Sequence, residues 1–170
     1  MANSSIIDEL KTSVITEIIN DETLFHAIDS PTIGSFQDSD QLVNKHLFRF
    51  HQNPELIQEN ITFLTFQVHI QKLNNNNWVR PTIEIWIFSH NSHMIVANIP
   101  KITADRNDYI SMLLDKKFNG RDSLGVGTNQ CHLIGKLDLR SNIEGAFNQE
   151  FLYRRMIFET RDINDLYCGL

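Results

Sequence analysis

Alternation of apolar and polar residues marks the middle of the chain as a long β-hairpin. Apolar side chains occupy every second position over residues 61–71, and the same period returns over residues 78–89. A period of two is typical of strands that bury one face. The residues between the two strands form a polar turn: Asn74, Asn75, Asn76 and Asn77. We therefore predict that the two strands pair antiparallel around this turn.

A longer period predicts three helices. Apolar residues recur at helical spacing over residues 5–19, and a shorter helix over residues 22–28 follows a polar break. The third helix is predicted over residues 104–118, with Thr103 as its N-terminal cap and Asn119–Gly120 as its stop. The simplest role for all three apolar stripes is packing in the core.

Weaker patterns predict the remaining strands. Residues 94–99 are expected to return as a short third strand, and residues 132–139 to form a strand with partial alternation. A loop is predicted over residues 140–149, followed by a well-patterned last strand over residues 150–160. The order of elements predicts an α+β fold, in which a mostly antiparallel or mixed sheet carries helices on one face.

Residues 29–59 show no clear period and contain several turn signals. Two interpretations stay open for this irregular segment. It is either an interaction segment that packs on a neighbouring subunit, or a surface loop held down by its own phenylalanines. The 170-residue length favours a single domain, predicted over residues 1–164, with residues 165–170 as a flexible tail.

The composition is that of an ordinary globular protein, with 41% hydrophobic and 21% charged residues. A formal charge of −6 argues against broad nucleic-acid binding, which depends on lysine and arginine. The N-terminus predicts no signal peptide, and no apolar run approaches the roughly 20 residues of a membrane helix. Two cysteines without a disulfide pattern are expected to be reduced thiols in the cytosol.

Candidate catalytic motifs are weak. His90 and His93, with Cys131 and His132, supply enough ligands for zinc, but the glutamate of a zincin helix is missing. Gly125–Gly127 follows a predicted helix, whereas a nucleotide-binding loop follows a strand. The sequence therefore predicts no enzyme, no cofactor and no metal, and a small metal-dependent hydrolase is the alternative.

The densest basic cluster contains Arg154, Arg155 and Arg161, with Arg140 nearby. Strand alternation is expected to place Arg154 and Arg155 on opposite faces. Arginine is enriched at protein interfaces, so one of them is a candidate to bind an acidic neighbouring subunit. The alternative is that both are solvated strand charges.

The second half of the chain contains a series of short pieces in a distinctive order. They are Ile85–His90, Arg106–Ile110, Leu114–Asp115, Phe118–Gly120, Gly125–Gly127, a strand around Leu133–Leu139, and Tyr153–Asn164. Their order resembles tail-terminator and neck proteins of tailed bacteriophages, over about residues 60–164.

The resemblance implies a structural virion protein. In such proteins a sheet is flanked by helices, and the subunits form a ring, usually six-fold, that caps the finished tail tube. The implied partners are copies of the chain itself (a hexamer), the tail tube protein and the head–tail connector protein, with no membrane. Genome DNA passes through the ring without specific binding. The implied location is the neck of the virion, and the host cytoplasm during assembly.

The same resemblance leaves neighbouring roles open: a head-completion, connector-stopper, tail-tube or tail-completion protein. An acidic chain suits a channel that passes DNA without holding it. A ring subunit needs two different patches for a head-to-tail contact, and edge strands are candidates to pair with a neighbour. The predicted interface residues are the turn Asn74–Asn77, the loop residues Arg121, Asp122, Gly125 and Gly127, and the strand residues Arg154 and Arg155.

Overall fold

The computed structural model describes residues 4–72, 78–125, 131–132, 136–160 and 163–164. The α-helices are α1 (Ser4–Ile19), α2 (Glu22–Ile28) and α3 (Arg106–Phe118), with 3₁₀ turns over Phe36–Leu42, Pro54–Leu56 and Asn91–His93. The strands are β1 (Leu47–Phe48), β2 (Thr62–Lys72), β3 (Trp78–His90), β4 (Ser123–Leu124), β5 (Cys131–His132), β6 (Asp138–Ala146), β7 (Phe151–Glu159) and β8 (Ile163–Asn164). The predicted turn Asn74–Asn77, Gly127 and the tail 165–170 lie outside the described residues.

One mixed sheet forms the centre of the fold. Its order is β1-β2-β3-β7-β6, β8 pairs with the start of β3, and β4 and β5 form a separate pair. Strand β1 runs parallel to β2, and every other pair in the sheet is antiparallel. The predicted α+β fold is thereby confirmed, whereas its division into a single domain and a tail stays a prediction.

The predicted hairpin is confirmed along its described length. Strands β2 and β3 pair in one register from Thr62 opposite Ser89 to Lys72 opposite Val79. Pro81 has no backbone N–H to donate, so it suits a position without a partner on one side. It lies between the stretch of β3 that pairs with β7 from Thr82 onward and the stretch that pairs with β8.

The helices cover one face of the sheet, as predicted. Alternate residues of β2, β3 and β7 join the helices in the larger hydrophobic core. Full burial of one such side chain contributes about 1.5–3 kcal/mol. The core residues of the sheet and of α1 and α3 are Leu47, Leu64, Phe66, Val68, Ile83, Ile85, Ile87, Met156, Phe158, Leu10, Val14, Ile15, Ile18, Ile110, Leu114 and Phe118.

The prediction of a strand over residues 94–99 was wrong. Only Ile95 makes a β-bridge, to Asp105, at the start of α3. The predicted cap Thr103 was also wrong, because the side chain of Asp105 accepts a hydrogen bond of 2.8 Å from the N–H of Asp108. Both aspartate and threonine cap helices, so the choice was set by where the chain turns.

The predicted loop over residues 140–149 was wrong as well, because β6 runs from Asp138 to Ala146. Most of its side chains are exposed, so the strand has no apolar alternation to reveal it. Its pairing shifts register at Arg140, between Leu139 and Ser141. The last predicted strand is confirmed as β7.

The irregular segment 29–59 is held to its own chain by aromatic contacts. Phe36 packs edge-on against Phe25 of α2, with ring centroids 5.7 Å apart. Phe48 of β1 packs in the same way against Phe63 of β2, at 5.8 Å. The phenylalanines of the segment therefore hold it to its own chain, as the surface-loop interpretation expects. Its contact with a neighbouring subunit stays a prediction.

A buried arginine fixes the start of α3. Arg106 has only 1% of its surface exposed, and it donates to the carbonyl oxygens of Ala27, His93 and Ile95 at 2.6, 2.6 and 3.0 Å. Its Nη2 also lies 3.1 Å from the carboxylate of Asp29. These bonds join the end of α2, the 93–95 segment and α3.

Candidate interaction surface

The second face of the sheet, which we call the open face, carries no helix in the described part of the chain. A smaller hydrophobic cluster lies on it and has no helix residue: Phe48, Ile61, Phe63, Phe88 and Phe151, with Ile57, Trp86 and Tyr153 at its border. Residues 48–61 therefore cover one end of the open face, and its other part faces solvent.

A row of aromatic rings forms the centre of the open face. Trp86 stacks on Phe88 with ring centroids 5.8 Å apart and planes 5° apart, and Tyr153 lies 5.0 Å from Trp86. His51 lies 6.1 Å from Trp86, and Phe147 packs edge-on against Phe88 at 6.0 Å. Each such pair contributes about 0.5–1.5 kcal/mol beyond burial, so the row is a rigid, partly exposed platform.

A charged network borders the aromatic row. The carboxylate of Glu84, 6% exposed, accepts hydrogen bonds of 2.5 Å from Trp86 Nε1 and 2.6 Å from Arg155 Nε, and His69 Nε2 lies 3.2 Å away. The guanidinium of Arg155 also lies 5.3 Å from the centre of the Trp86 ring, which favours a cation–π contact.

The environment of Glu84 sets its protonation. Burial raises the pKa of Glu84, but the hydrogen bonds from Arg155 and Trp86 together lower it by a larger amount. The pKa of Glu84 therefore lies below its ordinary value. Strand alternation alone indicates an ordinary solvent-facing residue at Glu84. The structure buries it instead, among partners from three strands: His69 on β2, Trp86 on β3 and Arg155 on β7.

Exposed apolar side chains border the open face. In the described residues, Phe50, Leu56, Ile95, Met112, Ile143 and Phe147 are the large hydrophobic side chains that remain exposed. Ile143 and Phe147 lie at its β6 side, and Phe50 and Leu56 lie on the segment that covers its other end. Apolar side chains concentrated in this way mark protein interaction surfaces.

Both edges of the sheet have unpaired stretches within the described residues. Strand β6 pairs only with β7, along its whole length from Asp138 to Ala146. Strand β2 pairs with β1 only at Leu64 and Thr65, so Phe66–Lys72 has β3 as its one neighbour. Unpaired backbone donors and acceptors of this kind are templates for another strand.

The predicted loop of the interface is anchored on α1. The carboxylate of Glu17, 4% exposed, accepts 2.7 Å hydrogen bonds from Arg121 Nη1 and from the backbone N–H of Gly125. Gly125 has a φ of 98°, a conformation that favours glycine. Asp122 is exposed. The interface role of this loop stays a prediction, and Gly127 lies outside the described residues.

The prediction that Arg154 and Arg155 lie on opposite faces is confirmed. Arg155 lies on the open face with Glu84, whereas Arg154 points to the helix side and binds Asp108 of α3. Arg154 Nη2 also lies 3.0 Å from Glu144 of β6. Both arginines therefore have carboxylate partners within the chain, and neither is simply a solvated charge.

Two of the histidines considered for a metal site, His90 and His93, bond to groups of their own chain. His90 Nδ1 lies 2.8 Å from the hydroxyl of Ser92. His93 lies 2.9 Å from the hydroxyl of Thr62 and 3.4 Å from Asp29. Among the residues that the structure describes, no three His, Cys, Asp or Glu side chains are grouped to hold a metal ion.

The Asp29–His93–Thr62 arrangement has the order of groups of a catalytic triad. Its hydroxyl, however, is completely buried and bonds onward to Ser89 Oγ at 2.8 Å, which donates to Asn107 at 2.7 Å. A hydroxyl that substrate cannot reach is a structural group, so this chain of hydrogen bonds joins β2, β3 and α3.

Two histidines are buried in a way that disfavours their charged form. Burial is the main cause that lowers the pKa of His46, whose Nδ1 lies 2.7 Å from the carbonyl oxygen of Thr62. Burial also lowers the pKa of His93, and the charge of Arg106 adds to the effect. Both side chains are therefore neutral at pH 7.

No helix in the described ranges combines the length and apolar character that a membrane crossing requires.

A family profile named YomW matches residues 13–160, from within α1 to the residue after β7. The name comes from a Bacillus prophage region, SPbeta, and so indicates a phage origin. No curated protein matches the chain. Because the profile match spans most of its 170 residues, the chain belongs to the YomW family.

Proposed function

We propose that this protein is a structural component of a tailed-phage virion: a tail terminator, whose ring caps the tail tube and joins it to the head-side connector. The observation that carries the proposal is the open face, a rigid aromatic platform bordered by exposed Ile143, Phe147, Phe50 and Leu56. The phage-derived family name supports a phage origin only, and the resemblance of residues 60–164 to tail-terminator proteins favours the terminator role.

The open face is suited to assembly because covering apolar surface releases about 25 cal/mol per Å². Ile143 lies in the sheet, and Phe147 and Phe50 are held by aromatic contacts, so these three side chains lose little conformational entropy on binding. Its polar members are already paired: Glu84 binds Arg155 and Trp86. A partner can therefore cover this face without leaving a buried charge unpaired.

The charge of the chain fits the lumen that the proposal requires. A formal charge of −6 repels the phosphates of DNA, so a ring of such subunits passes the genome without holding it. Specific DNA binding would instead need a cluster of cations to neutralise phosphates.

Genetic complementation tests the role. A phage that lacks this protein is expected to give filled heads and tails that are not joined, and the wild-type chain supplied in trans restores whole particles. Phe147→Ser and Ile143→Ser together are expected to prevent restoration. The matched control is Met112→Ser, which removes an exposed apolar side chain of α3 away from the open face.

Three results would contradict the proposal. The first is a set of normal virions without the protein, and the second is equal restoration by the double variant and the wild type. Defective heads with normal, joined tails would be the third, and would favour the head-completion or connector-stopper alternative instead.

A further inference from the structure

We propose that the free edge of β6 pairs with the free edge of β2 in a second copy of this chain, head to tail. The sheet then continues from one subunit into the next, with the open faces side by side. This inference rests on the proposed ring and names the contact that builds it.

The directions of the strands fit this contact. Strands β2, β3, β7 and β6 are neighbours in that order, and each adjacent pair is antiparallel, so β6 runs opposite to β2. In a ring whose axis is parallel to the strands, the rotation that relates one subunit to the next preserves the direction of every strand. The β6 strand of one subunit therefore meets β2 of the next antiparallel, as in the rest of the sheet.

The free edges overlap in part. Strand β6 has nine residues with a neighbour on one side, and β2 offers the seven residues Phe66–Lys72 beyond its short pairing with β1. Across the sheet, Phe66–His69 of β2 stand level with Asp138–Asn142 of β6. A contact of this length satisfies backbone N–H and C=O groups that otherwise face solvent at both edges.

Different apolar side chains stand at the two edges. Ile143 and Phe147 are exposed beside β6, and Phe50 and Leu56 are exposed on the segment beside β1. A two-fold contact brings one patch against itself, whereas a head-to-tail contact joins two different patches. Two unlike patches on opposite edges favour the head-to-tail arrangement.

The charges beside the two edges differ. Asp105, Asp108 and Glu144 line a cavity of about 320 Å³ at the β6 edge, where Arg154 is their one cation. Asp138 and Glu159 near the start of β6 are balanced by Arg140 and the exposed Lys136, so the acidic excess comes from the cavity. The β6 side is therefore acidic.

The opposite edge is the more basic one. Lys11 donates to the carbonyl of Arg49, so the two cations lie close together, and burial and the charge of Arg49 lower the pKa of Lys11. Lys45 is an exposed cation next to β1, and Asp8, Glu55 and Glu59 are the nearby anions, so the charges at this edge balance, whereas the β6 side has an acidic excess. Pairing of two β6 edges would instead bring two acidic surfaces together, at an unfavourable Coulomb energy.

Cysteine cross-linking of the full chain tests this contact. In a background with Cys131→Ser and Cys168→Ser, one protein carries Ser141→Cys on β6 and another carries Gln67→Cys on β2, both on the open face. Ile143→Cys and His69→Cys, two residues along each strand, cover the neighbouring register. The control is Met112→Cys, an exposed residue of α3.

The expected result under mild oxidation is a covalent dimer when a β6 protein is mixed with a β2 protein, and none from any single protein. A chain that carries both cysteines is expected to give a ladder of covalent oligomers. The Met112→Cys control is expected to give no dimer with either edge.

Several outcomes would overturn the inference, and light scattering on the same samples separates them from failure of the proposed function. Dimers from a β6 protein alone would show a two-fold contact. Rings or oligomers without any cross-link would show that the chain assembles through another surface, and the proposed ring would stand. Monomers without cross-links at the highest soluble concentration would exclude self-association through these edges. Cross-linked open filaments would keep the edge contact and contradict the closed ring.

Discussion

Replacing the buried Arg106 is expected to destabilise the fold strongly. Arg106→Met keeps most of the side-chain volume but removes the guanidinium that binds Asp29 and the carbonyls of Ala27, His93 and Ile95. Each buried acceptor that loses its partner costs about 1–3 kcal/mol, and breaking a buried ion pair by removing one partner costs about 3–5 kcal/mol in all.

The lower part of that range applies here, because Asp29 is 37% exposed and regains water when Arg106 is removed. Because three carbonyl acceptors also lose their partner, we expect a loss of at least about 3–4 kcal/mol in the free energy of unfolding. That is a large part of the roughly 5–15 kcal/mol that a domain has, and corresponds to a fall of about 10 °C in Tm.

Urea unfolding of the wild type and the variant, followed by far-UV circular dichroism at low protein concentration, measures the difference. Arg140→Met is the matched control, because Arg140 is 54% exposed and its ion pairs with Asp138 and Glu159 are expected to contribute less than about 1 kcal/mol. An Arg106→Met variant within 1 kcal/mol of the wild type would refute the reasoning, as would equal losses in the two variants.

Three further predictions concern the buried polar groups and the open face. Because the pKa values of His46 and His93 are lowered by folding, the unfolded chain binds more protons, and the urea midpoint is expected to fall as pH drops below about 6.5. Glu84→Gln is expected to lower the unfolding free energy by about 1–3 kcal/mol in urea titrations, because the charge-assisted bonds of a buried carboxylate are lost. Gly145→Ala is expected to cost about 1–2 kcal/mol and to change the near-UV circular dichroism, because a Cβ would lie 2.6 Å from the Tyr153 hydroxyl and displace that ring.

Each of these has a matched control. A chain with both His46→Gln and His93→Gln is expected to lose the decline in urea midpoint near pH 6. An unchanged decline would show that these two histidines do not cause it. Glu159→Gln, at a partly exposed glutamate on the same face, is expected to change stability by less than about 0.5 kcal/mol. Gly34→Ala is expected to leave the aromatic signal unchanged, because a Cβ at that residue meets nothing within 4 Å.

The sequence predicted the parts of the fold that depend on local periodicity. The hairpin of β2 and β3, the helices α1 and α2 and the strand β7 each bury one regular stripe, and that stripe is visible in the residue order. Strand β6 was missed because an edge strand whose two faces are largely exposed to solvent needs no apolar alternation. Strand β1 has two residues and depends on pairing with a distant strand.

The candidate site was predicted less well, because its groups are brought together by the sheet. Arg155 was identified, but its partner Glu84 is 71 residues away in the chain, and the contact with Trp86 depends on the register of β3 and β7. Phe147 and Ile143 stood in a predicted loop, so their exposure beside the aromatic row was not foreseen. Once β6 is recognised as a strand, the alternation that places Ile143 on the face of Arg155 follows.

The account is tested most directly by electron cryo-microscopy of assembled virions that contain this protein. We predict a closed ring of copies of the chain between the end of the tail tube and the head-side connector, with β6 of each subunit beside β2 of the next. Density for the chain at another position along the particle, or virions in which it is absent, would contradict the proposed role.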